Sequence, residues 1–234
     1  MNRGKVIVVE GIIGAGKTSF SKELAEKLGG NTLYLQEPDE ENNANPYLKD
    51  FYEDQKRWAY TMQTHLLQER YKMHLYAQWH AMTTGGYAVL DRSYFGDTAF
   101  ARLQLSTGTM TQREFDTYQS IYHAMTSSVL LPTVCVHLLV SPKVAQRRIQ
   151  NRMEVQTGRK CENVIDLEYL QALTCEEQQT VDTLEKQGVR VLALRWDEDR
   201  SRQSDRSAVI TGIAEYIKGH EPPDMFLDLH RRTI

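Results

Sequence analysis

The chain has 234 residues, 41% of them hydrophobic, and 28 Lys and Arg against 31 Asp and Glu give a formal net charge of −3. A near-neutral chain of this length can bury one sizeable core and excludes a strongly basic nucleic-acid binder, which would carry a dominant positive field. The longest apolar stretch, Val129–Val140, is broken by Pro132, Thr133 and His137 and falls short of the roughly 17–25 residues of a membrane helix. Three scattered cysteines, Cys135, Cys161 and Cys175, form neither a disulfide framework nor a zinc pattern, which points to a reducing compartment. The first apolar run starts at Val6 and leaves no room for a leader peptide, so a cytoplasmic protein is expected.

In chain order, the continuous apolar run Val6–Val9 predicts a first strand, the periodic segment Lys17–Leu28 a helix, and Thr32–Leu35 a second strand. Further strands are expected at Ala88–Leu90, Val134–Val140 and Val189–Leu194. Their unalternated apolar character suits a parallel sheet covered on both faces. Helical patterns lie between them at Asp54–Thr83, Ser93–Leu105, Thr111–Ser127, Pro142–Arg152, Ile165–Gln187 and Asp205–Lys218. The expected fold is therefore α/β, with a five-stranded parallel sheet flanked by helices on both faces, and residues 1–234 form a single domain.

Charge is uneven along this frame. Glu37–Asp54 holds seven acidic residues and one lysine, whereas Pro142–Lys160 holds six basic residues and one glutamate. Arg148 and Arg152 in the basic run are four apart, hence on one helix face and suited to a polyanion.

Gly11-Ile12-Ile13-Gly14-Ala15-Gly16-Lys17-Thr18 fits G-x-x-x-x-G-K-[ST] directly after the first strand and at the start of the first helix. Gly11, Gly14, Ala15 and Gly16 let consecutive N–H groups turn toward phosphate oxygens, helped by the positive end of the helix. Lys17 would bridge the outer two phosphates of a nucleotide and the Thr18 hydroxyl would ligate Mg²⁺. No Asn-Lys-x-Asp guanine-reading motif occurs, which favours a small-molecule kinase over a GTPase. Glu37-Pro38 follows the second strand and Asp91-Arg92-Ser93 the third. Both then sit at the carboxyl edge of the sheet, where open α/β folds bind ligands.

With these motifs, together with Arg57–Gln63, Asp97, Arg148-x-x-x-Arg152 and Leu167–Leu170, the chain resembles the deoxyribonucleoside kinase family from about Val6 to Trp196, in its deoxycytidine, deoxyguanosine and deoxyadenosine kinase branch. The resemblance implies a P-loop kinase with a helical lid at about residues 147–160. It further implies ATP as phosphate donor, Mg²⁺, and 5′-phosphorylation of a deoxyribonucleoside in nucleotide salvage. Glu37 would be the general base toward the 5′-hydroxyl, Arg92 a clamp on the transferring phosphate, and Lys17 a further catalytic group. Asp91, where animal members usually have the longer glutamate, would position Mg²⁺ together with Thr18. Arg148, Arg152 and Asp197 would hold ATP. Glu154 stands where a third lid arginine is often found, and Arg159 would be the alternative to it.

For the nucleoside, the resemblance implies that Gln63 meets the base edge, Trp58 forms an aromatic wall, and Tyr52 and Glu168 hold the 3′-hydroxyl. The Arg70 and Asp97 pair accompanies cytosine or purine bases rather than thymine, whose methyl group a charged pair serves poorly. The long segment 54–83 could supply a homodimer face, as in that family, and no membrane or nucleic-acid partner is expected. Two rivals remain. A nucleoside monophosphate kinase of the thymidylate kinase type would usually carry an arginine where Gln36 stands, and a non-catalytic nucleotide-binding subunit would have little use for Lys17, Glu37 and Arg92 together.

Overall fold

The computed structural model describes residues 4–38, 45–155, 162, 165–197 and 203–220. Strands β1 (Lys5–Glu10), β2 (Thr32–Leu35), β3 (Tyr87–Asp91), β4 (Val134–Leu139) and β5 (Arg190–Arg195) form one parallel sheet in the order β2-β3-β1-β4-β5. Each strand falls within a residue or two of its sequence expectation. Helices α1 (Lys17–Leu28), α3 (Gln55–Thr84), α4 (Tyr94–Ser106), α5 (Gln112–Thr126), α6 (Pro142–Val155), α7 (Leu167–Lys186) and α8 (Gln203–Gly219) likewise match the periodic segments, except that α6 runs three residues past the expected Arg152. A short helix α2 (Leu48–Glu53) was not anticipated.

The apolar run of β1 is continuous because both of its faces are covered. Ile7 and Val9 join Phe20 and Leu24 of α1 and Ile213 and Ile217 of α8 in one core layer. Val6 and Val8 face Leu67 and Ala77 of α3, Tyr94 of α4 and Tyr118 of α5 in the other. Full burial of a Val or Ile side chain contributes roughly 1.5–3 kcal/mol, so this central strand is firmly seated. A third, smaller cluster joins Phe51 of α2 to Ala59, Met62 and Leu66 of α3. Since β1 lies between β3 and β4, the loops after β1, β2 and β3 converge at the carboxyl edge of the sheet, as the position of ligand sites in open α/β folds requires.

Candidate active site

The loop after β1 curls through Gly14 and Gly16, at φ 80° and 89°. A side chain at Gly14 would also drive its Cβ to 2.6 Å from the Ala145 carbonyl oxygen, so only glycine fits. The Lys17 ammonium donates to the carbonyls of Gly11 (3.0 Å) and Ile12 (3.2 Å), across the loop it belongs to. Burial, reinforced by the nearby Arg92 charge, lowers its pKa from the ordinary lysine value. The Thr18 hydroxyl donates to Asp91 Oδ2 at 2.6 Å, while Asp91 Oδ1 is buried with no hydrogen-bond partner among the described residues. Burial and the charge of Glu37 raise the Asp91 carboxyl.

Strand β3 ends in a turn that the sequence motif encodes residue by residue. Ser93 caps α4, its Oγ accepting from the Phe95 N–H at 3.2 Å. Arg92, immediately before it, adopts φ 65°, the left-handed region, which costs a non-glycine residue roughly 1–2 kcal/mol. Its buried guanidinium donates to the Gly11 carbonyl at 2.7 Å, meets Glu37 Oε1 at 2.9 Å and Glu177 Oε2 at 3.4 Å, and lies over the Phe100 ring at 4.8 Å. Arg70 of α3 meets Glu37 Oε1 at 2.6 Å on the same side of the cleft. Burial alone would raise the Glu37 carboxyl, but the charges of Arg92, Arg70 and Lys17 outweigh it and hold its pKa at about 2.

These groups line a cavity of about 440 Å³, within the range of small-molecule sites. Of the sequence-predicted residues, Gly14, Gly16, Lys17, Thr18, Glu37, Tyr52, Gln63, Arg70, Asp91, Arg92, Arg148 and Arg152 all line it. Arg148 reaches from α6 to the Ala15 carbonyl (3.2 Å) and the Trp196 carbonyl (2.8 Å), and Arg152 pairs with Glu162 at 2.6 Å. The remainder of the expected lid, residues 156–160 including Arg159, lies outside the described residues.

Six expected contacts are placed elsewhere. Gly11 and Ala15 turn their carbonyls inward within the fold, Gly11 to Lys17 and Arg92 and Ala15 to Arg148, and do not line the cavity. Trp58 stacks on Tyr47 at 5.7 Å, with Arg57 against its ring, and does not line the cavity. The inward face of α3 carries Ala59, Met62, Gln63, Leu66 and Arg70, one position off Trp58 and so about 100° around the helix. Glu168 is exposed in the first turn of α7, while the next residue, Tyr169, lines the cavity. Asp97 is fully buried behind the cavity wall, its carboxylate taken by Arg70 and by the Tyr118 hydroxyl (2.7 Å). It can reach a ligand only through Arg70. Asp197 accepts from the Ser141 N–H at 2.6 Å and ties two loops together rather than lining the cavity.

Sequence reasoning missed Gln104, Phe100, Tyr169 and Glu162, which line the cavity, and the buried pair Glu10 and Glu177 behind Arg92. Glu10 had a detectable signal, as the single charge closing an apolar strand. Its Oε1 accepts from the Ser93 N–H and hydroxyl at 2.9 and 2.8 Å. Burial and Glu177 push its pKa up to about 7 against the pull of Arg92.

A sequence profile of the deoxynucleoside kinases matches residues 7–218. A deoxyguanosine kinase from Dictyostelium discoideum is 34% identical over 196 residues, which are 84% of this chain and 65% of the relative. A deoxyadenosine/deoxycytidine kinase from Bacillus subtilis (strain 168) is 36% identical over 163 residues, 67% of this chain and 71% of that protein. The structure of a deoxyadenosine kinase from M. mycoides superposes with a TM-score of 0.73 at 25% identity, over 90% of this chain and 99% of that one. These relatives are nucleoside kinases by name, which disfavours the thymidylate kinase alternative. Profile, relatives and fold agree, and the chain belongs to the deoxynucleoside kinase family.

Proposed function

We propose that the protein transfers the γ-phosphoryl group of ATP to the 5′-hydroxyl of a deoxyribonucleoside, with deoxycytidine, deoxyadenosine or deoxyguanosine favoured over thymidine. The observation that carries this reading is that the phosphate loop, Glu37 and Arg92 meet in one cavity that Gln63 and Arg70 also line. The backbone N–H groups of the loop and Lys17 hold the donor phosphates, and Arg148 braces the loop from α6. Glu37 orients the 5′-hydroxyl and takes its proton as the new P–O bond forms and the bond to the leaving ADP oxygen breaks. A carboxyl held at about 2 is a weak base, which suits a transition state in which positioning and charge stabilisation outweigh proton removal. Arg92, bridging Glu37 and the Gly11 carbonyl, places a fixed positive charge where charge moves during transfer.

The Thr18 hydroxyl and Asp91, whose Oδ1 has no hydrogen-bond partner among the described residues, are hard oxygen donors that fit Mg²⁺, an ion usually held by one or two protein oxygens, water and substrate phosphates. Bound there, Mg²⁺ would neutralise phosphate charge. Tyr52 lines the cavity and is assigned to the sugar. A homodimer and a cytoplasmic setting belong to the same reading. The exposed Tyr76, Trp79 and Met82 of α3 support the first, and the free thiols of Cys135 and Cys175 support the second. Among the described residues no helix is long and apolar enough to cross a membrane.

The test is ADP release with dC, dA, dG, dT and their monophosphates. Turnover of one or more of the three amino-bearing nucleosides is expected. Turnover on monophosphates alone overturns the assignment of the acceptor, and preference for dT overturns the reading of Arg70. Light scattering of the purified protein checks the dimer.

A further inference from the structure

The acceptor end of the cavity contains a hydrogen-bond chain with only one possible direction. It begins at the main-chain carbonyl of Asp97, which can only accept. The Gln63 atom facing it at 3.1 Å must therefore be Nε2, the amide nitrogen. That turns Gln63 Oε1 the other way, where it accepts from Gln104 Nε2 at 3.0 Å. Gln104 then ends the chain with its own Oε1, a buried acceptor with no hydrogen-bond partner among the described residues. Reversing Gln63 would set two carbonyl oxygens against each other, and so would reversing Gln104.

The end of the chain is also rigid. The main-chain carbonyl of Gln104 accepts from the N–H groups of Thr109 (3.0 Å) and Met110 (2.9 Å) and from the hydroxyls of Thr109 (3.1 Å) and Thr107 (3.3 Å). Gln104 is 3% exposed and Gln63 fully buried, and both line the cavity. A buried acceptor left unmade costs free energy that a donor on a ligand can recover.

We propose that Gln104 is a specificity-determining residue of the acceptor site: it locks the amide of Gln63 in one orientation and presents an unmet acceptor that selects nucleobases carrying an exocyclic amino group. Cytosine, adenine and guanine each offer such a donor, whereas thymine presents two ring carbonyls flanking a single N–H. This proposal rests on the reading of the cavity as a deoxyribonucleoside site. It goes beyond it in assigning base choice to a residue on α4, at position i+7 from Asp97.

The test compares kcat/KM for dC, dA, dG and dT in the wild type, in Gln104→Met, which keeps the side-chain length without the amide, and in Gln104→Asn, which withdraws it by one methylene. For Gln104→Met the ratio of the best amino-bearing nucleoside to dT is expected to fall about tenfold or more, chiefly through KM. Gln104→Asn is expected to fall between the two, and serves alone if the Met variant does not fold. Removing the amino group from the nucleoside, as in 2′-deoxynebularine against dA, should cost the wild type more than either variant. Parallel losses on all four nucleosides, or an unchanged ratio, overturn the role of Gln104 while the kinase assignment stands. Absence of any nucleoside turnover by the wild type overturns both.

Discussion

Glu37 is held in place by two guanidinium groups, those of Arg92 at 2.9 Å and Arg70 at 2.6 Å. The role proposed for Glu37 toward the 5′-hydroxyl draws on that geometry. Glu37→Gln keeps the shape and removes the negative charge, so kcat is expected to fall by about 10²–10⁴ with a smaller change in nucleoside KM, measured by coupled ADP release. Because its carboxyl is held at about 2, Glu37 stays ionised throughout pH 5–9. Any acid limb of kcat/KM in that window reports another group. Glu10 behaves in the opposite way. Its folded pKa of about 7 lies above the ordinary value of 4.5, so the native state binds the extra proton and stability is lost as pH rises between those values. The expected size is on the order of a few kcal/mol. Thermal melts from pH 5 to 8 should show Tm falling in the wild type, by about 5 °C or more, and a flatter profile in Glu10→Gln. The groups facing Glu10 are Arg92 and Ser93 after β3, Glu177 of α7 and Cys135 of β4. A Tm that rises over this range would show that Glu10 is ionised in the fold.

At the scale of elements, α6 acts as a strut. Arg148 spans from that helix to the carbonyls of Ala15 in the phosphate loop and of Trp196 after β5, so one side chain locks two loops around the donor site. Arg148→Ala is expected to raise KM for ATP and lower kcat by about 10²-fold, with little effect on nucleoside KM. Equal losses on both substrates would mean that the helix supports the whole cleft instead. Most elements were legible in the sequence because β1, β3 and β4 are buried on both faces and read as apolar runs, and because the longer helices show helical periodicity. Helix α2 was not legible. Six residues carry too little periodicity, and Phe51 is helical because it packs on Ala59 and Met62 of α3, a contact no local pattern encodes. Trp58 packs outside the cavity. The family resemblance implied an aromatic pocket wall there, yet a single step around α3 turns Trp58 away onto Tyr47.

At the scale of the whole molecule, the two core layers meet the sheet so that every functional loop emerges at one edge. Ligand binding to that edge should therefore stabilise the whole fold. A non-hydrolysable ATP analogue at 100 times its Kd is expected to add about 2.7 kcal/mol, seen as a rise in Tm of roughly 5–10 °C. Lys17→Ala should abolish most of that rise. A variant that keeps the full shift would remove Lys17 from the donor site.

Chemistry that depends on fixed spacing along the chain was determined by the sequence itself. The phosphate loop, the carboxylate after β2 and the Asp-Arg-Ser turn after β3 are short segments whose residue types suffice to imply their partners, and the parallel order of strands brings them together. The tertiary structure alone decided which side chains stand behind them. Gln104 meets Gln63, Glu10 and Glu177 flank Arg92, and Glu168 gives way to Tyr169, because each outcome depends on how elements distant in sequence pack and, for the helices, on how they are rotated about their axes. One residue of rotation, about 100°, separates a cavity wall from solvent.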